Sequence, residues 1–145
     1  KARARAIIEQ EVADMKADGG TVIAIRQEWS QLSTKLIARL TMGGKAVEGQ
    51  PGNEIAAPFA GLADRSMVKR VQDAFETGEL DSILKELDVG SLRIVGLDLN
   101  YCVGKTALAA RRRGYDVEIN TGAALASAPA EKMKALLAAE GISLK

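Results

Sequence analysis

The fold is decided by Leu92-Arg93-Ile94-Val95-Gly96-Leu97, a short turn to Cys102, and then Thr106-Ala107-Leu108-Ala109-Ala110-Arg111-Arg112-Arg113-Gly114. Apart from Arg93 the first run is apolar, as expected of a strand covered on both faces in a parallel sheet. The second is rich in alanine, carries cations in its last turn and stops at a glycine, so it reads as a helix beginning near Cys102 and ending at Gly114. Downstream, Tyr115, Val117 and Ile119 alternate as a further strand. A last helix follows Ser127, with Pro129 near its first turn, and ends at Gly141.

Upstream, Ile8, Val12 and Met15 recur at helical spacing before Gly19-Gly20, whose first glycine suits a left-handed cap. Thr21 to Ile25 is an expected strand. Leu32, Leu36, Ile37 and Leu40 indicate a helix, and residues 43–63 an excursion of turn chemistry. Ser66 to Val71 forms another expected strand, and Leu80, Ile83, Leu84 and Leu87 mark a helix ending near Gly90. Strands alternating with helices predict a doubly wound α/β fold, a mainly parallel sheet with helices on both faces in a Rossmann-type three-layer arrangement. Ligands in such folds collect at the carboxyl ends of strands, which directs attention to residues after Ile25, Val71, Leu97 and Ile119.

The 145 residues, 47% of them hydrophobic, suffice for one ordinary core, so a single domain over 1–145 is expected. A formal charge of +1 and 3% aromatic residues offer neither counterion release nor base stacking, which argues against nucleic acid as a partner. No apolar run approaches the roughly 20 residues of a membrane helix, and the expected setting is soluble and cytoplasmic. One cysteine rules out an internal disulfide, and the absence of histidine excludes Ser-His-Asp and Cys-His arrangements and the commonest metal ligand. No metal and no cofactor are called for.

Cys102 opens a helix after an apolar strand, where backbone N–H groups and the helix dipole favour a thiolate; a lone cysteine is also an ordinary small core residue. Lys69, at the end of an expected strand, could lower a nearby thiol's pKa or lie solvated at the surface. Trp29, Phe75 and Tyr101 could line a substrate pocket, or belong to a core or interface. Gly104-Lys105-Thr106 has the ending of a phosphate-binding loop, but Leu99 stands where that loop requires glycine. Arg111, Arg112 and Arg113 could bind an anion, although they also complement the carboxyl end of a helix dipole.

Val95-Gly96-Leu97-Asp98-Leu99-Asn100-Tyr101-Cys102-Val103, with Thr106-Ala107, Ala110, Gly114-Tyr115 and Val117, resembles the nucleophile segment of the isochorismatase-like hydrolases. That family includes nicotinamidases and carbamoylsarcosine amidohydrolases. Val68-Lys69 with Ala74-Phe75 and Leu80 resembles its lysine segment, and Gly49, Gly52, Glu54 and Ile55 the preceding loop. The resemblance implies a metal-independent cysteine hydrolase acting on a small amide, carbamoyl or vinyl-ether substrate. Cys102 would attack, Lys69 would support the thiolate, and the backbone N–H groups of Asp98 and Cys102 would hold the oxyanion beside a cis Leu97-Asp98 peptide. It implies a homo-oligomer, dimeric or tetrameric. It also implies a catalytic aspartate on a strand ahead of the first helix; no residue here matches it, so an N-terminally incomplete domain is expected. A relative that binds or assembles without catalysis is the alternative. The metal-dependent nicotinamidases use Asp and His ligands, which a chain without histidine does not match. The side chain of Asp98 could orient a substrate, stand in for the missing carboxylate or form a turn.

Overall fold

A computed structural model describes residues 2–29, 36, 40, 48 and 54–145. In chain order the elements are α1 (Ala2–Ala17), β1 (Ile23–Gln27), β2 (Arg65–Lys69), α2 (Glu79–Leu87) and β3 (Ser91–Leu97). A π-helical turn (Leu99–Val103), α3 (Gly104–Arg112), β4 (Asp116–Leu125), α4 (Glu131–Ala139) and β5 (Ser143–Leu144) complete them. The pairings among β1 to β5 are all parallel, the α/β arrangement expected of this alternation. The helix expected from Leu32 to Leu40, and residues 43–47 and 49–53 of the expected excursion, lie outside the described residues apart from Leu36 and Leu40. The chain divides into two compact units, residues 12–71 and residues 1–11 with 72–145.

In the unit of residues 12–71, β1 and β2 pair in register from Ile23 opposite Arg65 to Gln27 opposite Lys69. The first strand starts two residues later than its apolar run. The reason lies at Val22, which donates its N–H to Asp64 Oδ2 at 2.8 Å and accepts at its carbonyl from the N–H groups of Asp64 and Arg65 at 2.8 and 3.2 Å. These contacts occupy the backbone of Val22 before the regular ladder begins at Ile23. Gly19 adopts φ 76°, the left-handed cap expected of it.

In the other unit β4 lies between β3 and β5. Its core gathers Leu99, Val103 and Ala107 with Val117, Ile119, Ala123, Leu137 and Ile142, all buried. The alanines of α3 serve this packing: Ala107 and Ala110 are fully buried, and their small side chains let the helix approach its neighbours closely. Thr106, also buried, accepts the backbone N–H of Ala74 on its hydroxyl at 3.1 Å.

Two expectations need correction here. The strand expected to end at Ile119 continues to Leu125, because Asn120 Oδ1 accepts the Gly122 N–H at 2.9 Å and absorbs the polar Asn-Thr-Gly stretch as a bulge. The register jumps accordingly, from Ile94 opposite Ile119 to Gly96 opposite Ala124, and Gly96 supplies φ 127° at the irregularity. The strand expected to be covered on both faces, β3, has no fully buried residue, and Leu97 is 64% exposed. Among the described residues it is bonded along one side only, to β4, as an edge strand.

Candidate active site

Cys102 lies in the π-helical turn that joins the carboxyl end of β3 to the amino end of α3. The turn is wide because Val103 N–H donates to Asp98 O at 3.0 Å and Gly104 N–H reaches Leu99 O, both spanning five residues. Leu99 and Val103 anchor it in the core, Cys102 is half-buried, and Tyr101 is 48% exposed. The thiol is therefore carried on a turn pinned from beneath, at the amino end of a helical segment. The peptide between Leu97 and Asp98 is cis, as the family resemblance implied.

Asp98 closes the amino end of this turn with both carboxylate oxygens. Oδ1 accepts the Asn100 N–H at 2.8 Å, while Oδ2 accepts the Ser127 N–H at 2.8 Å and the Ser127 hydroxyl. Asn100 adds to the tie, its side-chain amide donating to Ala128 O at 3.1 Å and Pro129 O at 3.4 Å. Partial burial pushes the Asp98 carboxyl up, but the hydrogen bonds from Ser127 and Asn100 together hold it below the ordinary aspartate range. Of the roles open to Asp98 in sequence, the turn-forming one is what its oxygens perform. The Asp-x-Asn pattern signals that local turn; nothing local signals Ser127, which is distant in sequence.

Phe75 belongs to the same unit and is buried. Tyr115 stacks beside it at 6.4 Å between ring centroids, and the Arg113 guanidinium lies over its ring at 4.4 Å. Arg113 also grips Asp81 through two contacts of 2.8 and 3.2 Å, and Arg111 donates to Glu140 O and Tyr115 O. Arg113 also donates to Ala109 O at 3.2 Å near the carboxyl end of α3, the capping role that its place indicated, while the partners of Arg111 lie outside that helix.

Lys69 and Trp29 belong to the unit of residues 12–71. Lys69 ends β2 and is only 5% exposed, so the solvated reading of this lysine does not hold. Its ammonium donates to Gln27 Oε1 and to Val71 O at 2.9 Å, and Gln27 Nε2 returns a hydrogen bond to Lys69 O at 3.2 Å. Gln27 is the register partner of Lys69 across the ladder, which is why sequence reading did not find it. Trp29 follows β1; its carbonyl accepts the Glu48 N–H at 3.1 Å, and its indole Nε1 is buried with no hydrogen-bond partner among the described residues.

Residues 1–142 match the model of the isochorismatase domain. The chain belongs to the isochorismatase family. Among solved structures, an isochorismatase family protein from Desulfovibrio vulgaris is 28% identical, with a TM-score of 0.83 over 97% of this chain and 78% of that one. N-carbamoylsarcosine amidase from Thermoplasma acidophilum shares the fold at 20% identity, TM-score 0.85, over 99% of this chain and 82% of the other. A nicotinamidase from Bacillus subtilis does so at 19% identity, TM-score 0.84, over 99% and 84%. No curated protein sequence matches the chain. This isochorismatase-family member contains no histidine, and among its described residues no three Cys, Asp or Glu side chains are grouped to hold a metal ion.

Proposed function

We propose that the protein is a cysteine hydrolase that cleaves a small amide, carbamoyl or vinyl-ether substrate through a covalent intermediate on Cys102. The observation that carries this reading is the position of the only cysteine, half-buried on a pinned turn between a strand's carboxyl end and a helix's amino end, in a chain of the isochorismatase family. Two of the solved structures that share its fold are amidases by name, which favours an amide or carbamoyl substrate. For an amide, Cys102 Sγ bonds to the carbonyl carbon, the C–N bond breaks and the thiol proton leaves on the amine. Water then adds to the acyl-enzyme, the C–S bond breaks, the acid departs and the proton returns to sulfur.

In this reading the backbone N–H groups of Asp98 and Cys102 receive the oxyanion, and Lys69 supports the thiolate, already desolvated and held at a strand's carboxyl end. Tyr101, Trp29 and Phe75 are proposed as pocket residues, Tyr101 by direct exposure and Trp29 through an indole N–H that has no partner among the described residues. The family reading assigns a homo-oligomer, which light scattering on the purified protein tests, and the sequence composition a cytoplasmic setting, which subcellular fractionation tests. No helix among the described residues is long and apolar enough to cross a membrane.

The deciding experiment screens nicotinamide, N-carbamoylsarcosine and isochorismate with the native protein beside Cys102→Ala, Cys102→Ser and Lys69→Ala. Thiol alkylation is followed against pH in parallel. Turnover abolished in Cys102→Ala, with alkylation of the native thiol well below the ordinary cysteine pKa of about 8.5 and slower in Lys69→Ala, is the expected result. Undiminished turnover in Cys102→Ala eliminates the covalent mechanism; ordinary thiol reactivity with no turnover leaves a binding or assembly module.

A further inference from the structure

We infer that the Asp98 side chain is a positioning residue for the Cys102 thiolate, holding the turn that carries it against the segment after β4 through Ser127. The inference rests on the reading of Cys102 as nucleophile and adds a role for a carboxylate to which that reading gives only a backbone one.

Without the Asp98 side chain the turn is held by burial and by its own backbone bonds. Its inner residues Leu99 and Val103 are buried, but its outer residues Asn100, Tyr101 and Cys102 face outward with partial or full exposure. Burial fixes the depth of the turn, and the N–H groups of Tyr101 and Val103 on Asp98 O close it, but neither ties it to the segment after β4. Asp98 supplies the missing constraint at the opening. One oxygen fixes Asn100 N–H within the turn and the other takes two donors from Ser127, so a single carboxylate bridges the turn to residues 127–129. The Asn100 amide doubles the bridge by donating to the carbonyls of Ala128 and Pro129. All these contacts lie within one compact unit of the chain.

A charged acceptor with three donors aimed at it is among the stronger hydrogen-bonding arrangements available. Three donors already occupy both oxygens, so the contacts of Asp98 run through the turn and not to the reacting atoms. Loss of the bridge would let the backbone N–H groups around Cys102 drift from the geometry a thiolate and an oxyanion need. A misplacement of about 1 Å costs on the order of 100-fold in rate.

The test compares Asp98→Ala, Ser127→Ala and the double variant, in the full chain, on whichever of the three probe substrates the native protein turns over. Iodoacetamide alkylation of Cys102 is followed against pH in each. Asp98→Ala is expected to lower kcat about 10- to 100-fold while KM moves by less than about threefold, as for an interaction that matters in the transition state. Ser127 is exposed and its hydroxyl leaves without disturbing a core, so Ser127→Ala serves as the second variant should Asp98→Ala fold poorly. Its loss should run in the same direction, and the double variant should resemble Asp98→Ala alone, because both remove one bridge.

The alkylation midpoint separates positioning from simple charge. Removing an anion near a thiol lowers the thiol's pKa, whereas loosening the N–H groups that stabilise the thiolate raises it. A midpoint that rises in Asp98→Ala supports the inference; one that falls or does not move overturns it, as does an unchanged kcat. Alkylation is read whether or not the protein turns over a probe. Native-like turnover in Cys102→Ala would sink the nucleophile reading, while loss in Cys102→Ala with native behaviour in Asp98→Ala sinks only this inference.

Discussion

Lys69 spends two of its ammonium protons on Gln27 Oε1 and Val71 O, and it does so almost wholly out of water. A buried cation tolerates that only while its acceptors remain, because an ionised group without partners loses its hydration and gains nothing in return. Gln27→Ala removes one acceptor and leaves the charge in place. The expected cost is about 1–3 kcal/mol, the penalty for leaving a buried polar group short of a partner, read as a lower urea midpoint with an unchanged slope. A midpoint equal to that of the native protein would show that water or another group replaces Gln27 without cost. At this scale the sequence marked Lys69 and Cys102 as candidates from their places at a strand's end and a helix's start. It did not show Gln27 or Ser127, because each meets its partner across a strand ladder or a chain reversal.

At the scale of elements, the junction between the π-helical turn and α3 depends on Gly104. A glycine in a helix ordinarily costs about 1 kcal/mol relative to alanine, so propensity alone predicts that Gly104→Ala stabilises the protein. The geometry reverses the sign. A Cβ at this position would lie 2.5 Å from Leu99 O and 2.8 Å from Met133 Sδ. Methionine can move aside, but the Leu99 carbonyl cannot, since it accepts the Gly104 N–H that closes the turn. Gly104→Ala is expected to lower stability by about 1–3 kcal/mol, as overpacking does, and Met133→Ala in the same chain should not restore it. Thermal unfolding of both variants decides the matter; a raised midpoint in Gly104→Ala would mean that the turn relaxes into an ordinary helix. Periodicity announced a helix starting near Cys102 but not the π-turn, which follows from how Leu99 and Val103 are both buried while Asp98 ties the opening.

At the scale of the molecule, α1, β3, β4 and the last residue are joined by charge within one unit. Arg93 Nη1 meets Glu11 Oε2 at 3.0 Å, and its Nε donates to Glu118 Oε1 at 3.0 Å. Lys145 pairs with the other oxygen of Glu118, and Asn120 donates to Glu11 Oε1 at 2.7 Å. The hydrogen bond from Lys145, reinforced by Arg93, holds the Glu118 carboxyl below the ordinary glutamate range despite its partial burial. A carboxyl depressed in the folded state adds stability above its unfolded pKa, about 4.3, and that contribution disappears as pH falls through the folded value. Arg93→Ala leaves Glu11 and Glu118 without their shared cation. The side chains of Arg93, Glu11 and Glu118 are 28%, 16% and 23% exposed, so the expected loss at neutral pH is about 1–3 kcal/mol, short of that for a fully buried pair. Urea unfolding of native and variant proteins from pH 7 to pH 3 should show the two curves converging below about pH 4. A deficit that persists undiminished in acid would assign the loss to packing of the Arg93 stem and not to charge.

What the sequence determined by itself was the parallel α/β class, the family, the succession of elements from α1 to α4 apart from the helix expected over 32–40, and the placing of Cys102 between a strand and a helix; it did not announce β5. Those follow from periodicity, glycine punctuation and a local motif, all properties of neighbours along the chain. Tertiary structure alone decided that β4 runs on to Leu125, that β3 is an edge strand among the described residues, that Lys69 is buried against Gln27, and that Asp98 binds Ser127. Each depends on which distant residue fills a hydrogen bond or covers a surface. A one-dimensional pattern records that a polar group needs a partner, and only the folded chain supplies the one it has.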